Sequence, residues 1–187
     1  MQIKQPRDYQ QDAINAAVEY YKSNDRGILE MACGTGKTLT SIWISQALKA
    51  RKILILVPTL YLEGQACEDW VLEMRSIGIN YNVLVLGSDK SIEKHYDVGV
   101  TTDLETLNEF TSSQDEYVII STYKSNHLIS EAELHFDLAI FDEAHETSGK
   151  SDKESSLLLE DNGAKMDKRL FQTATVKRVT TSRDDIE

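Results

Sequence analysis

The sequence predicts an α/β domain whose sheet is largely parallel and carries helices on both faces. Segments of strand length alternate with segments of helical periodicity along the 187 residues, which is the pattern of strand–helix–strand units. A glycine-containing loop joins one strand to the next helix, and an acidic cluster directly follows a later strand. Ligands of open parallel sheets bind beyond the carboxyl ends of the strands, so we expect both features at one edge of the sheet.

The first half of the chain passes from helix to strand three times. Pro6 suits a helix start, and alanines and tyrosines follow it at helical spacing. A continuous apolar run that ends at Pro58 is typical of a strand covered on both faces. The predicted helices occupy residues 7–22, 38–50 and 62–76, and the predicted strands occupy residues 27–31, 51–57 and 81–86.

The second half continues the alternation with longer polar stretches. Residues 87–99 and 146–167 are mostly polar and are predicted to be irregular, apart from a short apolar island at 157–159. Thr102 or Asp103 is suited to cap a short helix. The predicted helices occupy residues 104–110 and 124–134, and the predicted strands occupy residues 117–121, 136–141 and 168–173.

The loop at residues 32–38, ACGTGKT, has the features of an anion site. Gly34 and Gly36 can adopt backbone conformations closed to other residues, so the loop amides can converge on one point. The following helix presents its positive end there, Lys37 adds a mobile charge, and Thr38 offers a hydroxyl suited to magnesium. The expected ligand is a nucleoside triphosphate.

The acidic cluster at residues 142–145, DEAH, follows the strand ending at residue 141. We assign Asp142 to the metal, directly or through water, and Glu143 to orienting and deprotonating the attacking water. His145 is predicted to bridge the nucleotide site to Thr173 or Thr175, although a local hydrogen bond at a helix start is the plainer alternative.

Each of these two features alone also admits a plainer interpretation. Met31 stands where the full Walker pattern has a glycine, so the loop could be an ordinary glycine turn before an amphipathic helix. The acidic cluster could be a charged helix start. Their occurrence in the right order, each after a strand, favours one shared nucleotide site.

The composition limits the classes of binding site and cellular location that the chain can have. The net charge of −11 argues against a broad basic nucleic-acid face, although loop amides and hydroxyls can still contact phosphates. Cys33 and Cys67 belong to no metal-binding or disulfide pattern, and the histidines show no metal-ligand spacing. No apolar run reaches membrane-spanning length and no signal peptide is evident, so we predict an intracellular, cytoplasmic protein without membrane contact.

Taken in order, the motifs resemble the first RecA-like domain of superfamily 2 helicases and translocases, especially the DEAH-type branch that includes restriction-enzyme motor subunits. The resemblance spans residues 7–178, and the loop at 32–38 matches the helicase form of the motif, which begins with alanine. It implies a RecA-like P-loop NTPase fold, ATP and Mg²⁺ as cofactors, and catalytic roles for Lys37, Asp142 and Glu143. The implied nucleotide-binding residues are Arg7, Tyr9, Gln10, Cys33, Gly34, Thr35, Gly36, Lys37 and Thr38.

Other motifs are assigned through the same resemblance. Residues 7–10, RDYQ, look like an adenine-recognition motif in which Gln10 contacts the base edge; a polar helix start is the alternative. Thr173 and Thr175 resemble the motif that couples hydrolysis to nucleic-acid binding, with Val176 where many relatives have proline. The implied nucleic-acid contacts are Pro58, Thr59, Gln65, Thr101, Thr102, Thr122 and Tyr123, of which the last four could equally serve simple helix caps.

The resemblance implies an ATPase that translocates along nucleic acid or unwinds it, with DNA favoured over RNA. The family's second RecA-like domain would follow the threonine motif, so we interpret residues 1–187 as the first domain alone, monomeric and weak or inactive as a hydrolase. A translocase without strand separation is one alternative, and a nucleotide-binding module inactive without its partner is another. A P-loop kinase or transporter ATPase would leave the RDYQ, DEAH and TAT motifs without a shared explanation.

Overall fold

The computed structural model describes residues 3–142 and 164–174. None of the helices in these ranges combines the length and apolar character needed to cross a membrane. The helices are α1 (Asp8–Tyr20), α2 (Lys37–Ala47), α3 (Leu60–Ser76), α4 (Ser91–Tyr96), α5 (Leu104–Ser113) and α6 (Asn126–Glu131). The strands are β1 (Arg26–Glu30), β2 (Lys52–Val57), β3 (Asn82–Leu86), β4 (Gly99–Thr101), β5 (Tyr117–Thr122), β6 (His135–Phe136), β7 (Leu138–Phe141), β8 (Lys165–Met166) and β9 (Arg169–Thr173).

Seven of the described strands form one sheet in the order β1-β9-β7-β2-β5-β3-β4. Every neighbouring pair in this sheet is parallel. The strands β6 and β8 form a separate short parallel pair. The predicted α/β fold with a largely parallel sheet is therefore confirmed, and the carboxyl ends of its strands share one edge.

Helices cover both faces of the sheet, as predicted. Alternate residues of β2 separate into two buried clusters, with Ile53 and Ile55 on one face and Leu54 and Leu56 on the other. The first cluster also contains buried side chains of α1 to α4, and the second contains those of α5 and α6. Two-sided burial accounts for the uninterrupted apolar run of β2, because a strand with one wet face would alternate with polar residues.

The structure corrects the sequence prediction in four places. The stretch predicted to be irregular before residue 100 contains α4, whose start is held by Asp89 accepting a hydrogen bond from the Ser91 amide at 2.9 Å. It also contains the first residue of β4. The polar loop predicted to reach residue 167 ends in β8.

The predicted strand at 136–141 is also divided, into β6 and β7 at Asp137. The Asp137 carboxylate accepts hydrogen bonds from the backbone amides of Arg51 and Lys52, at 2.7 and 2.9 Å. The side chain thus ties the start of β2 to the break between β6 and β7.

Candidate nucleotide-binding site

The loop between β1 and α2 has the backbone conformation predicted for its glycines. Gly34 and Gly36 have φ angles of 76° and 82°, in the left-handed region that disfavours other residues. Within the loop, the amide and hydroxyl of Thr35 donate to the Ala32 carbonyl at 3.3 and 2.6 Å. Gly36 immediately precedes α2, whose first residue is Lys37. The loop therefore leads directly into the positive end of a helix.

Lys37 and Asp142 meet at the carboxyl edge of the sheet. The Lys37 Nζ lies 4.0 Å from Asp142 Oδ1, and the two side chains are 14% and 32% exposed. Asp142 follows β7 directly, and its amide donates to the Leu56 carbonyl at 2.9 Å. The structure thus brings together residues that are far apart in the chain. Glu143, His145 and Thr175, also predicted for this site, lie outside the described residues.

The chemistry of the site fits magnesium. Thr38 lies in the first turn of α2, beside Lys37, and offers a hydroxyl, while Asp142 offers a carboxylate. Hard oxygen donors of these types, together with phosphate oxygens, are what Mg²⁺ takes in nucleotide sites. The metal-binding roles of Thr38 and Asp142 remain predictions.

The start of α1 packs on the phosphate loop. Gln10 is 4% exposed, and its Nε2 donates toward the Thr35 and Gly36 carbonyls and the Thr40 hydroxyl, at 3.3, 3.4 and 3.1 Å. Its Oε1 accepts from the Arg7 amide at 3.0 Å. The amide predicted to contact adenine is therefore engaged by the loop itself, and base contact would require breaking these bonds.

Two neighbours in the same motif remain accessible. Tyr9 is 43% exposed, and its hydroxyl donates to the Thr35 carbonyl at 2.9 Å. The exposed Arg7 donates from Nη1 to the Tyr9 hydroxyl at 3.3 Å. Both could contact a base stacked beside the loop, as predicted. Cys33 is exposed within the loop.

The strand that ends at Thr173 lies beside the phosphate-loop strand. β9 pairs with β1, and the Thr173 carbonyl accepts from the Met31 amide at 3.1 Å. Sequence reasoning missed a second connection, in which Gln172 Nε2 donates to the Ser41 hydroxyl and that hydroxyl donates to the Lys37 carbonyl at 3.1 Å. No local pattern marks this pair, because both segments contain several other polar residues.

The residues predicted to contact nucleic acid follow β2, β4 and β5 along one edge, but their exposure differs. Thr59, Gln65 and Thr102 are exposed, and Pro58 is half-buried. By contrast, three side chains are only 6%, 3% and 7% exposed, namely those of Thr101, Thr122 and Tyr123.

The three buried side chains make contacts within the protein. The Thr101 hydroxyl accepts from the Asp103 amide at 3.0 Å, and the Thr122 hydroxyl accepts from the Ser125 amide at 3.2 Å. The Tyr123 ring stacks on Phe141 within the core. Asp103, one of two predicted caps, is the residue that precedes α5 and accepts from the Thr106 amide. Thr101, Thr122 and Tyr123 can offer nucleic acid their backbone but not their side chains.

The family of the chain follows from a match over most of its length. The family model described as "Type III restriction enzyme, res subunit" matches residues 3–178. The chain belongs to this family. Together with the relatives below, the match identifies a superfamily 2 helicase-like RecA domain, as the motif order predicted.

Two viral relatives are much longer than this chain. A "probable helicase" of African swine fever virus is 33% identical over 174 residues, which cover 90% of this chain and 19% of the viral protein. A transcript termination protein of vaccinia virus is 30% identical over 118 residues, covering 63% of this chain and 20% of that protein. The chain therefore spans about a fifth of the length of these relatives.

Solved structures show the same relationship. A nuclease-deletion mutant of the Type ISP restriction-modification enzyme LlaGI, in complex with a DNA substrate mimic, is 35% identical with a TM-score of 0.79, covering 92% of this chain and 18% of that one. The ATP-dependent Type ISP enzyme LlaBIII bound to DNA is 32% identical with a TM-score of 0.73, covering 93% and 13%. The SWI2/SNF2 ATPase core of Sulfolobus solfataricus, at 19% identity and a TM-score of 0.65, shares the fold.

Proposed function

We propose that the chain is the ATP-binding domain of a nucleic-acid-dependent ATPase. One observation carries the proposal: Lys37 of the glycine loop lies 4.0 Å from Asp142, across the sheet edge where α2 begins. A flexible cation, a helix N-terminus and a carboxylate at one point suit a triphosphate with its metal. The helicase relatives and the ATP-dependent restriction enzyme support the same ligand.

The residues have distinct roles in this proposal. The Lys37 ammonium neutralises charge on the terminal phosphates, while the loop amides and the α2 terminus hold them in place. Magnesium held by Thr38 and Asp142 supplies further charge neutralisation when bound. Glu143, assigned from the sequence, orients the attacking water and takes its proton.

Hydrolysis is proposed to drive movement along nucleic acid, with DNA as the favoured partner. The structures of the two Type ISP restriction enzymes described above are complexes with DNA or a DNA mimic, which supports DNA over RNA as the partner. The loops carrying Thr59 and Thr102 are exposed at the strand ends and present backbone and hydroxyl groups suited to phosphates. Translocation with strand separation and translocation without it are the two alternative outcomes of this movement.

A second RecA-like domain is proposed to complete the cleft. An arginine finger is worth about 10³- to 10⁵-fold in rate in related phosphoryl-transfer enzymes. We therefore expect the 187-residue chain to bind ATP and to hydrolyse it slowly. The alternative of a module that binds nucleotide but requires a partner for any hydrolysis predicts binding without turnover.

Lys37→Ala tests the proposal. We expect loss of ATP binding with little change in thermal unfolding, because Lys37 is held at the site by charge rather than by core packing. Isothermal titration with Mg²⁺-ATP measures the binding, and Lys94→Ala, which changes an exposed lysine of α4, is the matched control. Undiminished ATP binding by the Lys37 variant would overturn the assignment of this site.

A further inference from the structure

Glu63 is a buried carboxylic acid on α3. It lies in the first turn of α3 and is 0% exposed. Neither of its carboxyl oxygens has a hydrogen-bond partner among the described residues. Burying a polar group without a partner costs free energy, so such groups are rare in native proteins. The position of Glu63 therefore calls for a reason other than packing.

The carboxyl group of Glu63 lies between the loops at the nucleic-acid edge. It packs against Gly87, the residue after β3, where an added Cβ would lie 2.9 Å from Glu63 Cδ and still closer to Oε2. The backbone of Thr122, at the end of β5, lies on another side. The Glu63 amide donates to the carbonyl of Thr59, which follows β2, at 2.9 Å. The Glu63 carboxyl group thus lies beside the loop after β3 and the end of β5, and the Glu63 backbone makes a first-turn hydrogen bond of α3 to the loop after β2.

The environment favours the uncharged form of this carboxyl group. Burial raises the pKa of Glu63 to about 7; the nearby Thr122 backbone opposes part of this rise, and the charge of Asp89 in the loop after β3 adds a smaller increase. Cys67, one turn along α3, also interacts with Glu63, and its thiol is itself buried. In the part of the chain that the structure describes, no cation acts on Glu63 to compensate its ionised form, which would also be repelled by Asp89 in the loop after β3.

We propose that Glu63 is a positioning residue for nucleic-acid binding, holding the loops after β2, β3 and β5 in one arrangement while its carboxyl group is uncharged. The proposal rests on the proposed nucleic-acid contact at this edge. The uncharged group fits closely against Gly87, whereas ionisation draws the carboxylate toward water and separates the loops. Nucleic-acid affinity should therefore fall as the pH rises through the Glu63 pKa, while nucleotide affinity at the phosphate loop stays constant.

Glu63→Gln is the decisive variant, because it keeps the shape of the side chain and cannot ionise. Binding of a fluorescein-labelled oligothymidine and of Mg²⁺-ATP is measured for both proteins from about pH 6 to about pH 8.5, on either side of the pKa. We expect the wild-type affinity for the oligonucleotide to fall about tenfold over this range, as a transition of one proton. The Gln variant should keep its low-pH affinity throughout, and ATP affinity should be the same in both.

The control variants distinguish a positioning role of Glu63 from a general effect on the stability of the protein. Glu68→Gln changes an exposed glutamate of the same helix and should retain the wild-type pH profile. Gly87→Ala should weaken oligonucleotide binding at every pH, because the added methyl group displaces the Glu63 carboxyl. A pH profile of the Gln variant that matches the wild type would overturn the role of Glu63. Wild-type protein that binds ATP but no oligonucleotide at any pH would overturn the proposed nucleic-acid function, and this inference with it.

Discussion

At the scale of the residue, Gln10 shows how one side chain can fix the shape of a binding loop. Its buried amide reaches two carbonyls of the phosphate loop and the Thr40 hydroxyl. Gly36 is suited to this arrangement twice over: its φ angle is positive, and an added Cβ would lie 2.8 Å from Gln10 Nε2. These contacts from α1 therefore help to hold the phosphate loop in the conformation in which Gly34 and Gly36 have positive φ angles.

Gln10→Ala should accordingly weaken ATP and GTP binding by the same factor, about tenfold, which corresponds to roughly 1.4 kcal/mol of lost hydrogen bonding. Competition titrations with both nucleotides measure the ratio. Gln11→Ala, on the exposed side of the same helix, is the control. A selective loss of ATP affinity would instead favour the base-recognition role that the sequence resemblance implies.

At the scale of the element, β9 and α2 are joined by a buried polar connection. The hydrogen bonds from Gln172 to Ser41 and from Ser41 to the Lys37 carbonyl link the strand ending at Thr173 with the helix that begins at the phosphate loop. Both side chains are almost fully buried, at 2% and 0% exposure. A shift of β9 would therefore change the position of the first turn of α2.

Gln172→Leu should lower the free energy of unfolding by about 1–3 kcal/mol, because it removes a buried hydrogen bond. It should also weaken ATP binding, since α2 loses a contact that fixes its start. Urea denaturation and ATP titration measure the two effects, and a double-mutant cycle with Ser41→Ala isolates the pair. Additive effects of the two substitutions would show that the connection carries no coupling.

Much of the architecture was predictable from sequence, and the exceptions have physical causes. The predicted bounds of β2 and β5 agree with the structure within a residue, because continuous apolar runs mark strands buried on both faces. The six-residue α4 buries only Ile92, too little for a periodic signal. The break at Asp137 depends on amides at the start of β2, which no local pattern reveals.

The candidate site was likewise predictable from sequence only in part. Lys37 and Asp142 could be expected together because both follow strand ends of a parallel sheet. The contacts of Gln10 and Gln172 could not, since they depend on which helices and strands become neighbours. Burial of Tyr123 was equally hidden, because its ring stacks on Phe141 of a separate strand.

At the scale of the whole molecule, the charge of −11 constrains how nucleic acid can bind. The 31 acidic side chains outnumber the 20 basic ones, so we expect contact to rely mainly on loop amides and hydroxyl groups. We expect affinity for single-stranded DNA to depend weakly on salt, with a log–log slope of about −1 to −2, as for two or three neutralised phosphates. Titrations at several salt concentrations measure the slope. A slope several-fold steeper would reveal a basic surface not evident in the composition.

The pairing of β1 with β9 also has a consequence during synthesis. Within the described residues, β1 occupies a sheet edge, and its hydrogen-bonded neighbour β9 is the last strand in chain order. Until that strand leaves the ribosome, the nascent β1 has an unsatisfied backbone edge beside Ile28, which is 66% exposed even in the folded protein. A stalled or prematurely terminated polypeptide would therefore be prone to aggregation and would depend on chaperones until translation passes residue 173.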